Sequence, residues 1–243
     1  MAVDFSPLST KIFVYCERGS DPAFWAEPVN ALSNAAFLVA AFAAFTLWQR
    51  QPGVPISTGS LALIILVAVI GVGSFLFHTF ANGWAKLADV IPITVFMLAY
   101  LGYALRVYFA ASWIWVATGV ALFAVILGGT ERIICGNEVC LNGSAGYVPA
   151  VVALVLVGYG LRRRAHQAGH GLLIAGGLLL VSLMFRTIDL VICDTLRLPD
   201  GRALGSHFVW HVLNALVLFL LLREAILRSG RKKTISVMVS GAG

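Results

Sequence analysis

Residues 61–92, LALIILVAVIGVGSFLFHTFANGWAKLADVIP, decide the fold. A mostly apolar run covers residues 61–80, and after a short polar turn a second apolar run begins near residue 87. A transmembrane helix needs about 20 largely apolar residues. The stretch therefore predicts the end of one membrane span and the start of the next.

The composition of the whole chain agrees with a membrane protein. Of 243 residues, 60% are hydrophobic and only 12% are charged, and the mean hydropathy is +0.91. A soluble domain of this length could not bury so much apolar surface, which indicates an integral membrane protein. No linker long enough to separate two domains is present. We therefore expect one domain over residues 1–243, with an outer N-terminal segment over 1–28 and a cytosolic tail over 228–243.

The length criterion predicts seven spans along the chain. They cover residues 29–48, 61–80, 87–108, 112–130, 146–162, 171–193 and 207–227. The runs are long and lack the alternation with a period of two that is typical of strands. The predicted fold is an all-α bundle of seven transmembrane helices.

The basic residues of the loops predict the orientation of the bundle. Ten lie on one side: Arg50, Arg106, the three arginines at 162–164, Arg223, Arg228, Arg231, Lys232 and Lys233. Six lie on the other: Lys11, Arg18, Lys86, Arg132, Arg197 and Arg202. Cytosolic loops carry the excess of Lys and Arg, so we expect the N-terminus in the periplasm or lumen and the C-terminus in the cytosol. Because these charges lie in short loops between spans, the net charge of +6 reflects topology, and no nucleic-acid partner is expected.

All four cysteines fall on the predicted outer side, where disulfides persist. Four cysteines allow three pairings. Cys135 and Cys140 share one short loop, which favours their pairing and leaves Cys16 to pair with Cys193. The alternative is four free thiols.

Polar side chains from separate spans are predicted to reach one depth near the outer ends of the helices. They are Ser74 and His78 late in span two, Asp89 early in span three, Arg186 and Asp189 late in span six, and His207 and His211 at the start of span seven. Buried polar groups in a membrane need partners, and ionisable ones there are usually functional. We interpret Arg186 and Asp189, spaced i and i+3, as a structural ion pair. A lone histidine at such a depth is usually hydrogen-bonded to a neighbour, but here three arrive together with Asp89.

The histidine spacing favours a metal site. His207 and His211 are separated by four residues and share one helix face, and His78 would add a third ligand from another helix. Three histidines with an open position are typical of catalytic zinc, which lowers the pKa of a bound water and polarises a carbonyl. Asp89 would act as general base, and Ser74 would donate to the developing oxyanion or to a ligand. Gly71 and Gly73 are interpreted as close helix packing rather than a nucleotide motif.

Four ordered pieces of the chain resemble the alkaline ceramidase family, within the CREST superfamily of seven-span hydrolases that also contains adiponectin-receptor-like proteins. The pieces are YCERGSDPAFWAEPVNALSN at 15–34, GVGSFLFH at 71–78, the Asp-x-x-Pro of 89–92, and RTIDLVIC at 186–193 followed by HFVWH at 207–211. The resemblance implies zinc bound by His78, His207 and His211, with Asp89 as catalytic acid/base and Ser74 as its helper. It also implies a Cys16–Cys193 disulfide.

The reaction implied is hydrolysis of the N-acyl amide of ceramide, by attack of a zinc-bound hydroxide, to a sphingoid base and a fatty acid. The partners are then a membrane lipid substrate and the bilayer, and no obligatory protein partner is inferred. The resemblance further implies calcium bound through Glu17 and Glu27. However, Val14 and Gly19 occupy positions where other calcium ligands would be expected, and the alternative is that the two glutamates cap span one or pair with Arg18.

Other functions stay open on the sequence alone. The substrate could be another lipid amide or an ester, because the site would act on any suitably placed carbonyl. A non-enzymatic receptor or signalling protein with structural zinc is a second class. A transporter would predict broken helices and inverted repeats, which the sequence does not show. The membrane is either a bacterial inner membrane or the eukaryotic endoplasmic reticulum or Golgi, with the site towards the periplasm or lumen.

Overall fold

The computed structural model describes residues 6–51, 58–138, 140–199 and 201–228. Within them are seven helices long and apolar enough to cross a membrane: Pro28–Gln49 (α1), Thr58–Phe80 (α2), Gly83–Tyr108 (α3), Trp113–Cys135 (α4), Ala145–Arg163 (α5), Ala168–Ile188 (α6) and His207–Arg228 (α7). The described part of the chain contains two isolated β-bridges and no strand. The predicted all-α, seven-helix fold is therefore confirmed, and it points to a multi-pass membrane protein. Arg231, Lys232 and Lys233, with nearly all of the tail over 228–243, lie outside the described residues.

Three predicted helix bounds were wrong by four or five residues: α3 begins at Gly83 instead of residue 87, and the other two are the ends of α4 and α6. Helix α4 continues to Cys135 instead of ending at residue 130, and it stops where Gly136 adopts a positive φ of 68°. Helix α6 ends at Ile188 instead of residue 193, because Asp189 turns its carboxylate away from the helix to bind backbone amides of other segments. The apolar residues after Ile188 form turns and do not extend the helix.

The helices pack in an order that brings α1, α2 and α7 together. Helix α2 packs along α3, α5 along α6, and α6 along α7, while α1 lies against both α7 and α2. A shared apolar core fills the space between them, with its largest fully buried side chains at Phe37, Ile70, Leu161, Leu172 and Leu222. Helix α4 stands at the side of the bundle and exposes Trp113, Ile114 and Trp115. Such an apolar outer face is typical of contact with lipid.

Close packing of α2 on α3 depends on Gly73. A Cβ built at this position would overlap the Ala88 carbonyl and come within 3.2 Å of the Asp89 backbone nitrogen. The two helices are joined by a turn of two residues, Ala81 and Asn82, and the Asn82 side chain accepts from the Ala85 backbone N–H to cap α3. The glycine therefore fixes the distance between the helix that carries Ser74 and the helix that carries Asp89, as predicted for close packing.

Both favoured disulfides are confirmed, and both lie at the end of the bundle where α2 stops and α3 begins. Cys16 pairs with Cys193, and Cys135 pairs with Cys140. The first joins the N-terminal segment to the turns after α6, across a sequence separation of 177 residues. The N-terminal segment is thereby held over the helix ends on this side of the bundle. The orientation of this end relative to a membrane stays a prediction.

Gly73→Ala is expected to push α2 and α3 apart, because the added Cβ meets backbone and not a movable side chain. Overpacking of this kind typically costs about 1–3 kcal/mol. The melting temperature of the detergent-purified variant should fall, measured by tryptophan fluorescence. Gly177→Ala is the control, since nothing lies within 4 Å of its Cβ and alanine favours helix. Equal melting temperatures for the two variants would contradict the packing argument.

Candidate metal centre

Three buried histidines meet where the last turn of α2 lies beside the first two turns of α7. His78, His207 and His211 are each 1% exposed, and one ligand atom from each lies within 4.8 Å of the others. Their ring centroids are 4.6 to 5.1 Å apart. The sequence prediction that these side chains share one site is matched by this placement. Among the described residues, no other group of His, Cys, Asp and Glu has this geometry.

Two of the rings are oriented by side chains from the start of α1 and the residue before it. His78 Nδ1 lies 2.6 Å from Glu27 Oε2. His211 Nδ1 lies 2.7 Å from Ser33 Oγ, and that hydroxyl donates its own proton to the Asn30 carbonyl. Each partner therefore accepts from an Nδ1–H, which leaves the Nε2 lone pair of both rings for a metal.

The unsatisfied atoms of the site fit a metal ion. His78 Nε2 and His207 Nδ1 are buried and have no hydrogen-bond partner in the structure. Leaving such an atom unpaired costs about 1–3 kcal/mol. The His207 ring is held in place by stacking on Tyr15, with the ring centroids 3.8 Å apart. Three neutral imidazoles suit zinc, copper, iron or nickel, and a three-ligand set leaves a coordination position open.

Asp89 and Ser74 lie beside the histidines. Ser74 precedes His78 by one helical turn and hydrogen-bonds the Asp89 carboxylate, while Asp89 Oδ1 is buried without a partner. The His78 side chain also lies near this carboxylate. An acceptor oxygen without a donor, next to the candidate metal position, can take a proton from a bound molecule.

The predicted Arg186–Asp189 ion pair was wrong. The Asp189 carboxylate accepts from the backbone N–H groups of Cys16, Ser206 and His207 at 2.7 to 2.9 Å. Arg186 instead donates to the Tyr15 hydroxyl at 3.0 Å. Its guanidinium also lies 5.4 to 5.7 Å from the ring centroids of Tyr15, Tyr147 and Trp210.

Backbone groups explain this choice of partner. Asp189 stands at the end of α6, where the unpaired N–H groups at the start of α7 carry partial positive charge. Gly205, with a φ of +66°, lets the carboxylate approach, since a Cβ there would overlap it. Asp189 thus fixes the first residue of α7, the candidate ligand His207.

The two glutamates predicted to bind calcium are engaged within the chain. Glu17 accepts from the backbone N–H groups of Val29 and Asn30 at 2.7 and 2.8 Å, which caps the start of α1. Glu27 binds Arg18 through one oxygen, and His78 and Asn30 through the other. Burial acts to raise the pKa of the Glu27 carboxyl, but His78 and Arg18 outweigh it and hold this pKa below its ordinary value. The structure therefore shows the alternative given above, in which Glu17 caps the first span and Glu27 pairs with Arg18. Calcium binding stays a prediction.

Sequence reasoning missed the residues that support the histidines. Ser33, Arg18 and Tyr15 were given no role in the site. A usable signal existed: Glu27, Asn30 and Ser33 repeat at a spacing of three residues, which places them along one side of a helix. The partners that they face could not be read from that pattern.

Comparison with known proteins adds a family. The model of the family described as Ceramidase matches residues 15–236, which covers most of the chain and all of the site residues above. A search of curated proteins gives no match. The resemblance drawn from the four sequence pieces is confirmed at the level of the family.

Ser33→Ala is expected to weaken metal binding, because the His211 Nδ1–H loses its acceptor and the ring loses its orientation. Loss of such a partner typically lowers metal affinity about 10- to 100-fold. Competition with a chelator of known affinity, followed by metal analysis, measures the change. Thr94→Ala is the control, since Thr94 is half-buried and its hydroxyl donates to the Val90 carbonyl of its own helix. An unchanged dissociation constant would show that Ser33 does not orient the ligand.

Proposed function

The chain belongs to the ceramidase family, and on that premise we propose that it is a zinc-dependent membrane amidase that hydrolyses ceramide to a sphingoid base and a fatty acid. The observation that carries the proposal is the buried meeting of His78, His207 and His211 beside Asp89. An open set of three histidines with an adjacent acid favours hydrolysis over a structural metal, whose ligand set is normally closed. A non-enzymatic receptor is therefore the less favoured function.

The three histidines would hold zinc through the nitrogens that the structure leaves free. Zinc in such a set supplies a Lewis acid that polarises a carbonyl and makes water more acidic. Glu27 and Ser33 keep the rings of His78 and His211 in the required tautomer. Tyr15 limits rotation of the His207 ring by stacking on its face.

Asp89 is the proposed acid/base. Its unpartnered Oδ1 would accept the proton of the attacking water and pass it to the leaving amine of the sphingoid base. Ser74 bonds the same carboxylate and would hold its plane in one orientation during both transfers. Asp89 on α3 would move the proton, and Ser74 on α2 would orient the Asp89 carboxylate. Gly73 fixes the separation of these two helices.

An apolar cavity lined by residues about one helical turn from the site would take the acyl chain. It lies between α2, α3, α4, α5, α6 and α7, and its walls include Ile70, Ile93, Phe96, Asn214 and Val217. Ile70 lies one turn before Ser74, Ile93 one turn after Asp89, and Asn214 nearly one turn after His211. One end of the cavity would then lie near the candidate metal position. A lipid whose carbonyl reached the histidines could place its chain there.

We place the site on the periplasmic or lumenal side of the membrane. Both disulfides lie at the same end of the bundle as the histidines. Disulfides persist in oxidising compartments. The excess of basic residues at the opposite helix ends supports the same orientation.

Asp89→Asn is expected to lower ceramide hydrolysis by about 10²- to 10⁴-fold, the usual contribution of a general base. Zinc content should stay near one per chain, because Asp89 is not a ligand in this scheme. Release of labelled fatty acid from detergent-solubilised ceramide measures turnover, and metal analysis is run on the same sample. Asp194→Asn is the control, since its side chain is 96% exposed.

Two outcomes would count against the mechanism. Full turnover after complete zinc removal would exclude the metal, and full turnover of Asp89→Asn would exclude the base. A protein that binds zinc but does not hydrolyse ceramide would indicate that its substrate is another lipid amide or an ester.

Ala150→Phe is expected to shorten the acyl chain that the site accepts, because Ala150 is buried in the cavity wall. The ratio of kcat/KM for long-chain over short-chain ceramide should fall about tenfold, which corresponds to about 1.4 kcal/mol. Val152→Phe is the matched control, since it lies on the same helix and its side chain is 49% exposed. Equal ratios for the two variants would show that the chain binds elsewhere.

A further inference from the structure

Arg18 is buried, and its guanidinium donors all bind acceptors within the chain. The residue is 3% exposed, and its guanidinium donates to five acceptors. Five N–H donors are the full complement of a guanidinium. No donor is left for a substrate, so the role of Arg18 lies in what it holds together.

Its acceptors come from three separate segments. Nε donates to Glu27 Oε1, and Nη1 donates to the carbonyls of Asp21 and Ala23. Nη2 donates to the carbonyls of His78 and Thr79, at the end of α2. The arginine thus joins the N-terminal segment, the residue before α1 and the last turn of α2.

The end of α2 is fully capped as a result. The last four carbonyls of a helix have no partner within it. Here the Phe77 carbonyl accepts from the Ala81 N–H, and the Phe80 carbonyl accepts from Lys11 Nζ at 2.8 Å. The two between them accept from Arg18, at 2.8 and 3.3 Å. A cation at this end also complements the helix dipole.

The same guanidinium reaches His78 twice. It binds the His78 carbonyl directly, and it binds the ring through Glu27, whose other oxygen lies 2.6 Å from His78 Nδ1. It also balances the buried negative charge of Glu27, which would be costly without a partner. Arg18 therefore acts on both the backbone and, through Glu27, the ring of His78. The other two histidines have no such common partner: Asp189 binds the backbone of His207, and Ser33 binds the ring of His211.

We propose that Arg18 is a positioning residue of the metal centre: a cation tethered in the chain that holds Glu27 and the end of α2 so that His78 presents Nε2 to the metal. Its effect on the reaction rests on the proposed function, but its effect on metal binding does not. Glu27 needs no second cation in this arrangement, because Oε1 binds Arg18 and Oε2 binds His78 and Asn30. The inference therefore also specifies that metal binding is independent of calcium.

A double-mutant cycle on Arg18 and Glu27 tests the inference. The variants are Arg18→Met, Glu27→Gln and the double variant, with Arg197→Met as the control because its side chain is half exposed and binds only at the surface. Zinc affinity is measured by chelator competition, and the cobalt-substituted proteins are compared by their visible spectra, which report ligand geometry. Arg18→Lys keeps the charge with fewer donors in a different geometry. It should be intermediate, and it serves as the test protein if Arg18→Met does not fold.

The expected result is a loss of zinc affinity of about 10- to 100-fold in each single variant, with an altered cobalt spectrum. The double variant should lose little more than the worse single variant, because one residue acts through the other. kcat should fall while KM stays unchanged, since Arg18 does not line the cavity. Adding calcium to calcium-free protein should leave the zinc affinity of the unaltered chain unchanged.

Three results would overturn the inference. Unaltered zinc affinity and cobalt spectrum in a destabilised Arg18→Met or Arg18→Lys would make the residue a helix cap only. Additive losses of zinc affinity in the double variant would show that Arg18 does not act through Glu27. Zinc affinity that rises with calcium would show that Glu27 binds a second cation. Failure to hydrolyse ceramide, with the affinities as expected, would overturn the proposed function and leave this inference standing.

Discussion

The structure depends on pairing the backbone groups at the helix ends where α1, α2, α6 and α7 meet. Every helix end leaves N–H or C=O groups without partners, and burying them unpaired is costly. Here four charged side chains meet that need: Glu17 at the start of α1, Arg18 and Lys11 at the end of α2, and Asp189 at the start of α7. Because the backbone groups at these ends are paired within the chain, they need no water, and the histidines beside them can be buried. The polar layer of the site is therefore a consequence of how the helices are capped.

The N-terminal segment is the part that makes this capping possible. It carries Glu17 and Arg18, and the Cys16 N–H donates to Asp189 while its sulfur bonds Cys193. Neighbouring Tyr15 stacks on His207 and accepts from Arg186. The polar segment before the first span thus covers the site. Its position is fixed by hydrogen bonds and the disulfide, together with the ring contacts of Tyr15 with Phe77 and of Phe24 with Phe80.

The sequence predicted the parts of this arrangement that are set by length and local spacing. Apolar runs gave seven helices, and the spacing of His207 and His211 placed them on one face of α7. Depth alone then brought His78 and Asp89 to the same level. Sequence could not predict which way a charged side chain turns when local and distant partners compete. Asp189 prefers backbone amides 17 to 173 residues away to the nearby Arg186. The Ser33–His211 contact likewise joins residues 178 apart, although the spacing of Glu27, Asn30 and Ser33 marked one side of the helix.

The environment of the site also constrains how a lipid could be recognised. In water, burying a chain contributes about 0.8 kcal/mol per CH₂ group. A lipid that enters from the bilayer already has an apolar environment, so moving its chain into the cavity gains little from the hydrophobic effect. Binding free energy must then come from the polar layer, where the carbonyl would meet the histidines, Asp89 and Ser74. The cavity would act on selectivity through its length and shape, because a chain that does not fit must stay outside or distort the packing of the helices around the cavity. In this scheme, recognition of the amide and selection of the chain would be separate properties, carried by the polar site and by the apolar cavity near it.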